Sequence, residues 1–448
     1  MKGFARAYIK PLYFNGRFFL VMAFVAILYT CSFFFPWMTI LPQLLLLTVV
    51  VLTLVDYIFL FRLREGVSAS RIIPDRLSNG DENPISVHVE NRYPFAIKAG
   101  IIDELPFQFQ ERKFFYEITV PGNRANKLNY SLRPVKRGEY SFGNLNIFVT
   151  GPLGLLKRRF QFEADRMVAV YPSFLQMRKY QLLFISNRFA EIGLRKIRKL
   201  GHSMEFEQIR DYVKGDDIRT MNWKATARRN QLMVNAFTDE KSQQIYCVID
   251  KSRVMKMPFE GLSLLDYAIN ASLVLSNIAL LKEDKAGLIT YSETPGTFLQ
   301  ANRNSAQMNA ILEVLYKQKT RYLESNYEKL YGLIRQRITQ RSLIVLFTNF
   351  ESVSSLQRQM KFLRKIAMHH LLLVVFFENT ELSTLINSDA NDLEQVYNKT
   401  IAEKFAFEKK MIVRELQQYG IMSILTAPKD LTINTVNKYL EIKARKGI

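Results

Sequence analysis

The chain has 448 residues, 48% of them hydrophobic and 23% charged, and a formal net charge of +21. This length allows two or three domains, and the composition excludes a wholly disordered chain. The positive charge points to nucleic acid or an anionic membrane surface as partner, and two cysteines in separate apolar runs, Cys31 and Cys247, predict no disulfide framework.

Two long apolar runs near the start predict a transmembrane hairpin within a first segment, residues 1–64. Phe18–Phe35 carries no charge, and Thr39–Phe61 carries one, Asp56. Each run is long enough to cross about 30 Å of hydrocarbon as a helix. Only Pro36–Met38 separates them, so a tight hairpin is expected. The alternative, a pair of buried core helices, suits such long apolar runs poorly.

Basic residues flank the hairpin and predict its orientation. They are Lys2, Arg6, Lys10 and Arg17 before the first run, and Arg62 and Arg64 after the second. The positive-inside rule places both ends in the cytoplasm. No later run approaches 18 apolar residues, so the rest of the chain is expected to stay there. Asp56 lies about 9 Å of helix rise from Arg62, and we expect it to snorkel or to pair with Arg62 or Arg64.

Residues 65–175 predict a small β-sandwich. Pro84–Asn91 alternates apolar and polar residues, and further alternating stretches follow with Gly, Pro and Asn between them. Such period-two stretches are typical of short antiparallel strands. Nothing in this segment predicts catalysis, so we expect it to pair with a partner or to space the next domain from the membrane.

A basic connector is predicted over residues 176–240. Its first part is rich in cations, namely Arg178, Lys179, Arg188, Arg195, Lys196, Arg198 and Lys199, with Glu191 among them. Such a run is a solvated face or, close to a bilayer, a contact for anionic headgroups.

The second part of the connector concentrates polar and aromatic side chains. Glu205–Val213 alternates like a strand, and Gly215 allows a turn. Asp216 or Asp217 is placed to cap a helix predicted over Ile218–Arg229, with a second strand after it. The candidate site residues are Arg210, Asp211, Tyr212, Gly215, Asp216, Asp217, Arg219, Asn222, Trp223 and Arg228.

Two interpretations of this set stay open. In the first, the charged residues form a structural network and Trp223 lies in the core. In the second, part of the set is a docking surface, because Arg and Trp are typical interface anchors. No nucleophile–base pair is visible in the sequence, so we predict no catalytic residues and no enzyme activity.

The same stretch resembles the bacterial family named as domain of unknown function fifty-eight. The residues at matching positions are Arg210, Tyr212, Gly215, Asp216, Asp217, Arg219, Trp223, Ala227, Arg228, Leu232 and Val234. The sequence departs from the family pattern with Asp211 for Glu, Asn222 for Asp and Thr226 for Ser. With Arg137–Phe160 and Val170–Phe174, the resemblance covers residues 130 to 300 approximately.

Residues 241–448 predict a doubly wound α/β domain. Five continuous apolar runs alternate with helical patterns, as parallel strands buried on both faces require. They are residues 245–249, 286–291, 342–347, 371–377 and 420–426, and residues 297–301 are a candidate edge strand.

The family resemblance implies that this domain is of the von Willebrand factor A type. Such domains often bind Mg²⁺ through an Asp-x-Ser-x-Ser motif after the first strand. Here Asp250 and Ser252 match that motif, Val254 replaces the second Ser, and Thr348-Asn349 stands where an Asp is common. The resemblance therefore implies a degenerate magnesium site, and the alternative is a capped turn.

The leading functional hypothesis is a membrane-anchored adaptor. The resemblance implies a partner of the MoxR-type AAA+ ATPase class, acting in assembly or stress functions of the bacterial envelope. The hairpin and the basic connector would contact membrane lipids. The alternative is a basic protein that binds nucleic acid or anionic lipid, but the cations are spread along the chain and we expect no nucleic acid. A hydrolase would need a constellation such as Ser/His/Asp, which the spacing does not identify.

Overall fold

The computed structural model describes residues 11–35, 39–111, 114–185, 204–239, 242–320, 322–387 and 392–445. The chain forms two compact units, Met1–Tyr171 and Pro172–Ile448. Several sequence predictions lie outside the described residues: those on Lys2, Arg6 and Lys10, on Pro36–Met38, and on the connector cations between residues 186 and 203.

The first unit begins with two apolar helices, α1 (Gly16–Phe34) and α2 (Ile40–Phe61). Asn15 caps α1 by accepting a hydrogen bond from the Gly16 N–H. Most of their side chains face outward, because only 11% and 22% of the two apolar windows are buried. Both helices are long and apolar enough to cross a membrane.

A third helix of the described chain meets the same criteria of length and hydropathy, so the expectation that no later run approaches them is wrong. This helix, Leu264–Leu281, is 78% buried inside the second unit. Its high mean hydropathy reflects burial in a protein core, the other environment that selects a largely apolar helix, although it also carries buried polar residues such as Asp266, Asn270 and Asn277.

Asp56 does not make the local pair expected of it. Its side chain is fully buried, and its carboxylate accepts hydrogen bonds from the backbone N–H groups of Leu153, Leu155 and Leu156 at 3.0–3.1 Å. A buried carboxylate needs such donors, and a tight turn of the β region supplies them.

The remainder of the first unit consists of short strands. They are β1 (Leu12–Phe14), β2 (Val67–Ile72), β3 (Arg76–Ser78), β4 (Asn83–Asn91), β5 (Ile97–Asp103), β6 (Tyr116–Val120), β7 (Ala125–Leu132), β8 (Gly138–Phe142), β9 (Leu145–Thr150), β10 (Leu156–Phe162) and β11 (Arg166–Tyr171). In the described residues they form three sheets, ordered β1-β10-β9-β5-β6, β3-β11-β8 and β2-β4-β7. One apolar core joins them, and it includes Leu60 and Phe61 from the end of α2.

The second unit is built on a six-stranded sheet. After helix α3 (Phe174–Ile185) and the connector elements described below, its strands are β14 (Gln244–Asp250), β17 (Lys285–Tyr291), β18 (Pro295–Asn302), β19 (Leu343–Phe347), β20 (Leu371–Phe377) and β21 (Met422–Thr426), and a small hairpin adds β15 (Pro258–Phe259) and β16 (Leu262–Ser263). The order is β18-β17-β14-β19-β20-β21, with β18 antiparallel at one edge and the other pairs parallel. The predicted parallel strands and the edge strand are found at their expected places.

Helices cover both faces of this sheet. The described helices that follow α3 are α4 (Trp223–Arg229) in the connector, then α5 (Leu264–Leu281), α6 (Gln307–Tyr316), α7 (Tyr327–Arg337), α8 (Val353–His369), α9 (Thr380–Asn387), α10 (Leu393–Gln418) and α11 (Leu431–Ala444). Along β14, Ile245 and Cys247 face the core under α5, α6 and α11, whereas Tyr246 and Val248 face the core under α7, α8 and α10. This alternation buries every residue of the strand after Gln244, which is half-buried, so the sheet is doubly wound as predicted.

Candidate functional site

The connector forms a small module of its own between residues 204 and 239. Strands β12 (Met204–Asp211) and β13 (Met233–Asp239) pair antiparallel as a two-stranded sheet, with Asp211 opposite Met233. Tyr212 extends the ladder, because its N–H donates to the Leu232 carbonyl at 2.9 Å. We call residues 204–239 the connector module.

The turn after β12 is held by one carboxylate. Asp216 accepts a hydrogen bond from Arg210 Nη2 at 2.6 Å and another from the Val213 N–H at 2.9 Å. The bond from Arg210 is the main cause that lowers the pKa of Asp216 below its usual value. Gly215 has φ +116°, a conformation that favours glycine. The sequence prediction of a glycine turn therefore agrees with the backbone.

The predicted helix over Ile218–Arg229 is broken into two elements. Asp217 caps a single 3₁₀ turn, Ile218–Thr220, by accepting from the Arg219 N–H at 3.0 Å. Met221 then bridges to Val234. Asn222 starts α4 by accepting from the Ala225 N–H at 3.0 Å.

The break has a physical cause, because the residues at it, Met221 and Asn222, form backbone hydrogen bonds with β13. The Asn222 N–H donates to the Met233 carbonyl at 2.8 Å, and Asn222 Nδ2 donates to Asn235 Oδ1 at 2.8 Å. Ile218, Met221 and Ala225 therefore do not form the single helical face that their spacing predicts.

Large apolar side chains of the module face solvent. Trp223 and Ile218 are each 67% exposed and Val213 is 61% exposed, whereas Met233 and Val234 form the small buried part. Trp223 is therefore not in the core, and that part of the structural interpretation is wrong. Charged side chains of the module are exposed as well, namely Arg210, Asp211, Lys214, Asp217, Arg219, Lys224, Arg228 and Arg229.

The predicted charged network is sparse. Within the described chain, the one ion pair recorded among the candidate residues is Arg210–Asp216. Asp217 and Asn222 act as caps, and Arg228 lies in the last turn of α4, where a cation suits the helix dipole. Most of the charge on the module is thus left available for another molecule.

A second polar cluster surrounds Asp250 at the carboxyl end of β14. Its carboxylate accepts hydrogen bonds from Ser325 Oγ at 2.6 Å, Thr348 Oγ1 at 2.8 Å and the Ser252 N–H at 2.9 Å. Tyr327 extends the cluster through Thr348 at 2.9 Å. Burial raises the pKa of Asp250, and the surrounding donors, Ser325 first, oppose that shift.

These residues present oxygen atoms, the kind of ligand that Mg²⁺ prefers. The described chain contains no group of three or more His, Cys, Asp or Glu residues that could hold a metal. A Mg²⁺ ion at Asp250 would also have to displace the hydroxyl donors that now occupy the carboxylate. The magnesium site stays a prediction, and no step below depends on it.

An apolar cleft lies farther along the same edge of the sheet, with a cavity volume of about 290 Å³. Its walls include Phe259, Phe377 and Phe405. The Lys409 amine donates to Asn349 Oδ1 at 2.6 Å and to the Phe350 carbonyl at 2.5 Å. Burial lowers the pKa of Lys409 to about 8. The cleft can hold an apolar group beside this amine.

Sequence reasoning missed Ser325 and Lys409. Ser325 is 75 residues from its partner Asp250, and Lys409 is 60 residues from Asn349. Neither stands in a motif or after a predicted strand, so the sequence carries no signal for these contacts.

One family match covers most of the connector module and much of the α/β domain. Residues 208–404 match the family described as "Protein of unknown function DUF58". The match starts later and ends farther along the chain than the resemblance over residues 130 to 300. A curated relative, "Uncharacterized protein YeaD" of Bacillus subtilis (strain 168), is 27% identical over 200 residues, which are 43% of this chain and 49% of the relative. The chain thus spans about half the length of that relative.

Two solved structures are similar to parts of the chain. The conserved hypothetical protein BatB from Bacteroides thetaiotaomicron is 13% identical, with 46% of this chain and 99% of that chain covered and a TM-score of 0.30. The CARDB domain of the PF1109 protein from Pyrococcus furiosus is also 13% identical, with 23% and 86% covered and a TM-score of 0.17. Scores this low carry no argument about the fold or the function of this chain.

Proposed function

We propose that the chain is a membrane-anchored adaptor that docks a protein partner through the connector module. The observation that carries this proposal is Trp223, which is 67% exposed in the same module as the exposed Ile218 and Val213. Large apolar side chains exposed together in one small module often mark a protein interface, and Trp with Arg is typical of the residues that dominate binding energy. The surrounding charges would give the contact its specificity.

We place the whole chain in the domain of unknown function fifty-eight family, with a von Willebrand factor A-like α/β domain. The match over residues 208–404 supports the family. The sheet order, with one antiparallel edge strand, supports the domain type. The polar cluster at Asp250 lies after the first strand, where ligands of open α/β sheets bind.

The anchor in this proposal is the hairpin of α1 and α2 in the bacterial inner membrane. Their length, hydropathy and outward-facing side chains support it. The soluble domains then lie in the cytoplasm, because the flanking residues Arg17, Arg62 and Arg64 favour that side. The basic connector would add contacts with anionic lipids.

The proposed partner is a MoxR-type AAA+ ATPase, as the family resemblance implies. In this arrangement the ATPase hydrolyses nucleotide, and the adaptor directs it to client complexes in envelope assembly or stress. The sequence has no glycine-rich phosphate loop, so the proposal assigns nucleotide binding to the partner.

The test is co-purification from native membranes. Full-length tagged protein is solubilised gently, with and without nucleotide, and bound proteins are identified by mass spectrometry. We expect an AAA+ ATPase with the wild type and at least a tenfold loss with Trp223→Ala or Arg219→Ala, since about 1.4 kcal/mol of lost binding gives a factor of ten.

Met368→Ala is the matched control, because Met368 is a 78% exposed apolar residue on α8, outside the module. Loss of the ATPase with Met368→Ala as well would remove the connector module from the proposal. Recovery of no ATPase under any nucleotide condition would contradict the adaptor function. Salt-dependent retention of nucleic acid or of anionic lipid would then favour the alternative functions.

A further inference from the structure

Both ends of the helical hairpin are bonded to one corner of the β region. Before α1, strand β1 pairs with β10, with Phe14 opposite Leu156. The Asn15 N–H donates to the Leu155 carbonyl at 2.9 Å, and Asn15 Nδ2 donates to the Gly154 carbonyl at 2.8 Å. The turn over residues 151–156, closed by the bond from the Gly151 N–H to the Leu156 carbonyl, is therefore held against the start of the first helix.

The same turn is held against the last turns of α2. Asp56 accepts three of its backbone N–H groups. A Cβ atom at Gly151 would lie 2.2 Å from Asp56 Oδ1, so the two segments are in close contact. Asp56 precedes the end of α2 at Phe61 by about 8 Å of helix rise. The turn thus lies beside the last two turns of the helix.

A second set of contacts fixes the exit from α2. Arg158 Nη1 donates to the Leu60 carbonyl at 2.6 Å and to the Leu63 carbonyl at 2.7 Å. Tyr93 Oη donates to the Leu60 carbonyl at 2.6 Å. Because these groups are buried, the β region cannot swing about the end of the helix without breaking them.

We propose that this corner is a membrane foot, a surface that lies in the headgroup layer of an anionic leaflet. The membrane foot consists of Tyr13, Phe14, Pro152 and Leu153. Tyr13 is 40% exposed, Phe14 47% and Leu153 39%. This proposal rests on the membrane anchoring proposed above.

Two features favour lipid as the occupant of this surface. The membrane foot is continuous with the apolar surface of the two helices, since the Phe14 ring stacks on that of Phe18 at 4.4 Å. Exposed cations at the same corner, Arg17, Arg62 and Arg64, complement anionic headgroups. Aromatic side chains beside cations are typical of the membrane–water interface.

Tryptophan fluorescence measures the depth of the membrane foot. Trp37 and Trp223, the two native tryptophans, are replaced by Phe, and Leu153→Trp is added. The full-length protein is reconstituted in phosphatidylcholine vesicles with phosphatidylglycerol and brominated acyl chains. We expect a blue-shifted emission and about twofold quenching by the bromine, as for a side chain at the interface.

Phe107→Trp is the matched control, because Phe107 is 85% exposed and follows the opposite end of β5. In β5, Lys98 pairs with Thr150 next to the turn, whereas Asp103 pairs with Leu145 at the far end. Phe107→Trp should emit as in water and remain unquenched. Equal emission and quenching of the two variants would overturn the membrane foot.

Carbonate extraction separates the two proposals. Protein that resists extraction while Leu153→Trp stays unquenched would refute the membrane foot and leave the anchor standing. Protein released by carbonate would refute the anchor and the foot together. Equal quenching in vesicles without phosphatidylglycerol would overturn the assignment to anionic headgroups.

Discussion

Asp56 shows how one side chain can join two elements that are far apart in sequence. Its two carboxylate oxygens take up three N–H groups of a turn that starts 95 residues later, at Gly151. These N–H groups would otherwise be buried without acceptors, at a cost of about 1–3 kcal/mol each. The carboxylate thus gives the N–H groups of the turn their hydrogen-bond acceptors, and those N–H groups stabilise the buried carboxylate.

We expect Asp56→Asn to lower the free energy of unfolding of the first unit by about 2–4 kcal/mol. An amide offers one acceptor oxygen, and its NH₂ group would face backbone donors. The measurement is thermal unfolding of the full-length protein in detergent, monitored by the loss of resistance to protease.

Asp75→Asn is the control for that change. Asp75 is 94% exposed and pairs with Arg166 at the surface, so its loss should alter stability by about 0.5 kcal/mol or less. Equal melting of the two variants would show that Asp56 is not a stabilising contact.

At the scale of elements, the connector module depends on its caps. Helix α4 has seven residues, too few to be stable by helix propensity alone. Asn222 supplies its first acceptor, and Asn230 ends it in the left-handed conformation at φ 55°. The caps therefore decide whether Trp223 is presented on an ordered surface.

We expect Asn222→Ala to destabilise α4 by about 1 kcal/mol, because the N-cap acceptor is lost. Amide hydrogen exchange of residues 223–229 in the full-length protein should become about fivefold faster or more. Asn222→Asp keeps an acceptor at the cap and places a negative charge at the helix start, so its exchange should stay near that of the wild type. Fast exchange in both variants would show that the bond to Asn235, rather than the cap, holds the helix.

At the scale of the whole molecule, the hairpin is also part of the folded core of the first unit. Leu60 and Phe61 of α2 lie in the core of the β region, and β1 forms the edge of its largest described sheet. The buried Arg158 guanidinium donates to the carbonyls of Leu60, Leu63 and Arg64. Removal of the hairpin would leave this guanidinium without those acceptors.

We therefore expect a fragment of residues 66–171 to fail to fold cooperatively, whereas a fragment of residues 172–448 keeps both cores of its sheet. Size-exclusion chromatography and near-ultraviolet circular dichroism distinguish these outcomes. A monomeric 66–171 fragment with a sharp thermal transition would show that the hairpin is only an anchor.

Local patterns in the sequence were sufficient for much of the architecture. The two apolar runs became α1 and α2 within two residues at each described end. The buried strands of the six-stranded sheet and its edge strand at 297–301 lie where the apolar runs of the sequence predicted them. Apolar periodicity reports burial directly, because a side chain's preference for water or core is a property of that residue.

Long-range contacts account for what the patterns missed. The acceptor for the turn at Gly151 is Asp56, and the donor to Asp250 is Ser325. Backbone amides and serine hydroxyls occur throughout any sequence, so nothing marks the ones that will meet. The helix predicted over Ile218–Arg229 failed for the same reason, since β13 competes for Met221 and Asn222.

For this protein, then, composition and periodicity were enough to establish an apolar hairpin, a strand-rich region and a doubly wound sheet. The exposure of Trp223, the joining of the hairpin to the β region and the closed cluster at Asp250 depended on folding. The reason is physical: burial tendencies are encoded residue by residue, whereas a site arises when distant segments bring complementary donors, acceptors and surfaces within a few ångströms of one another.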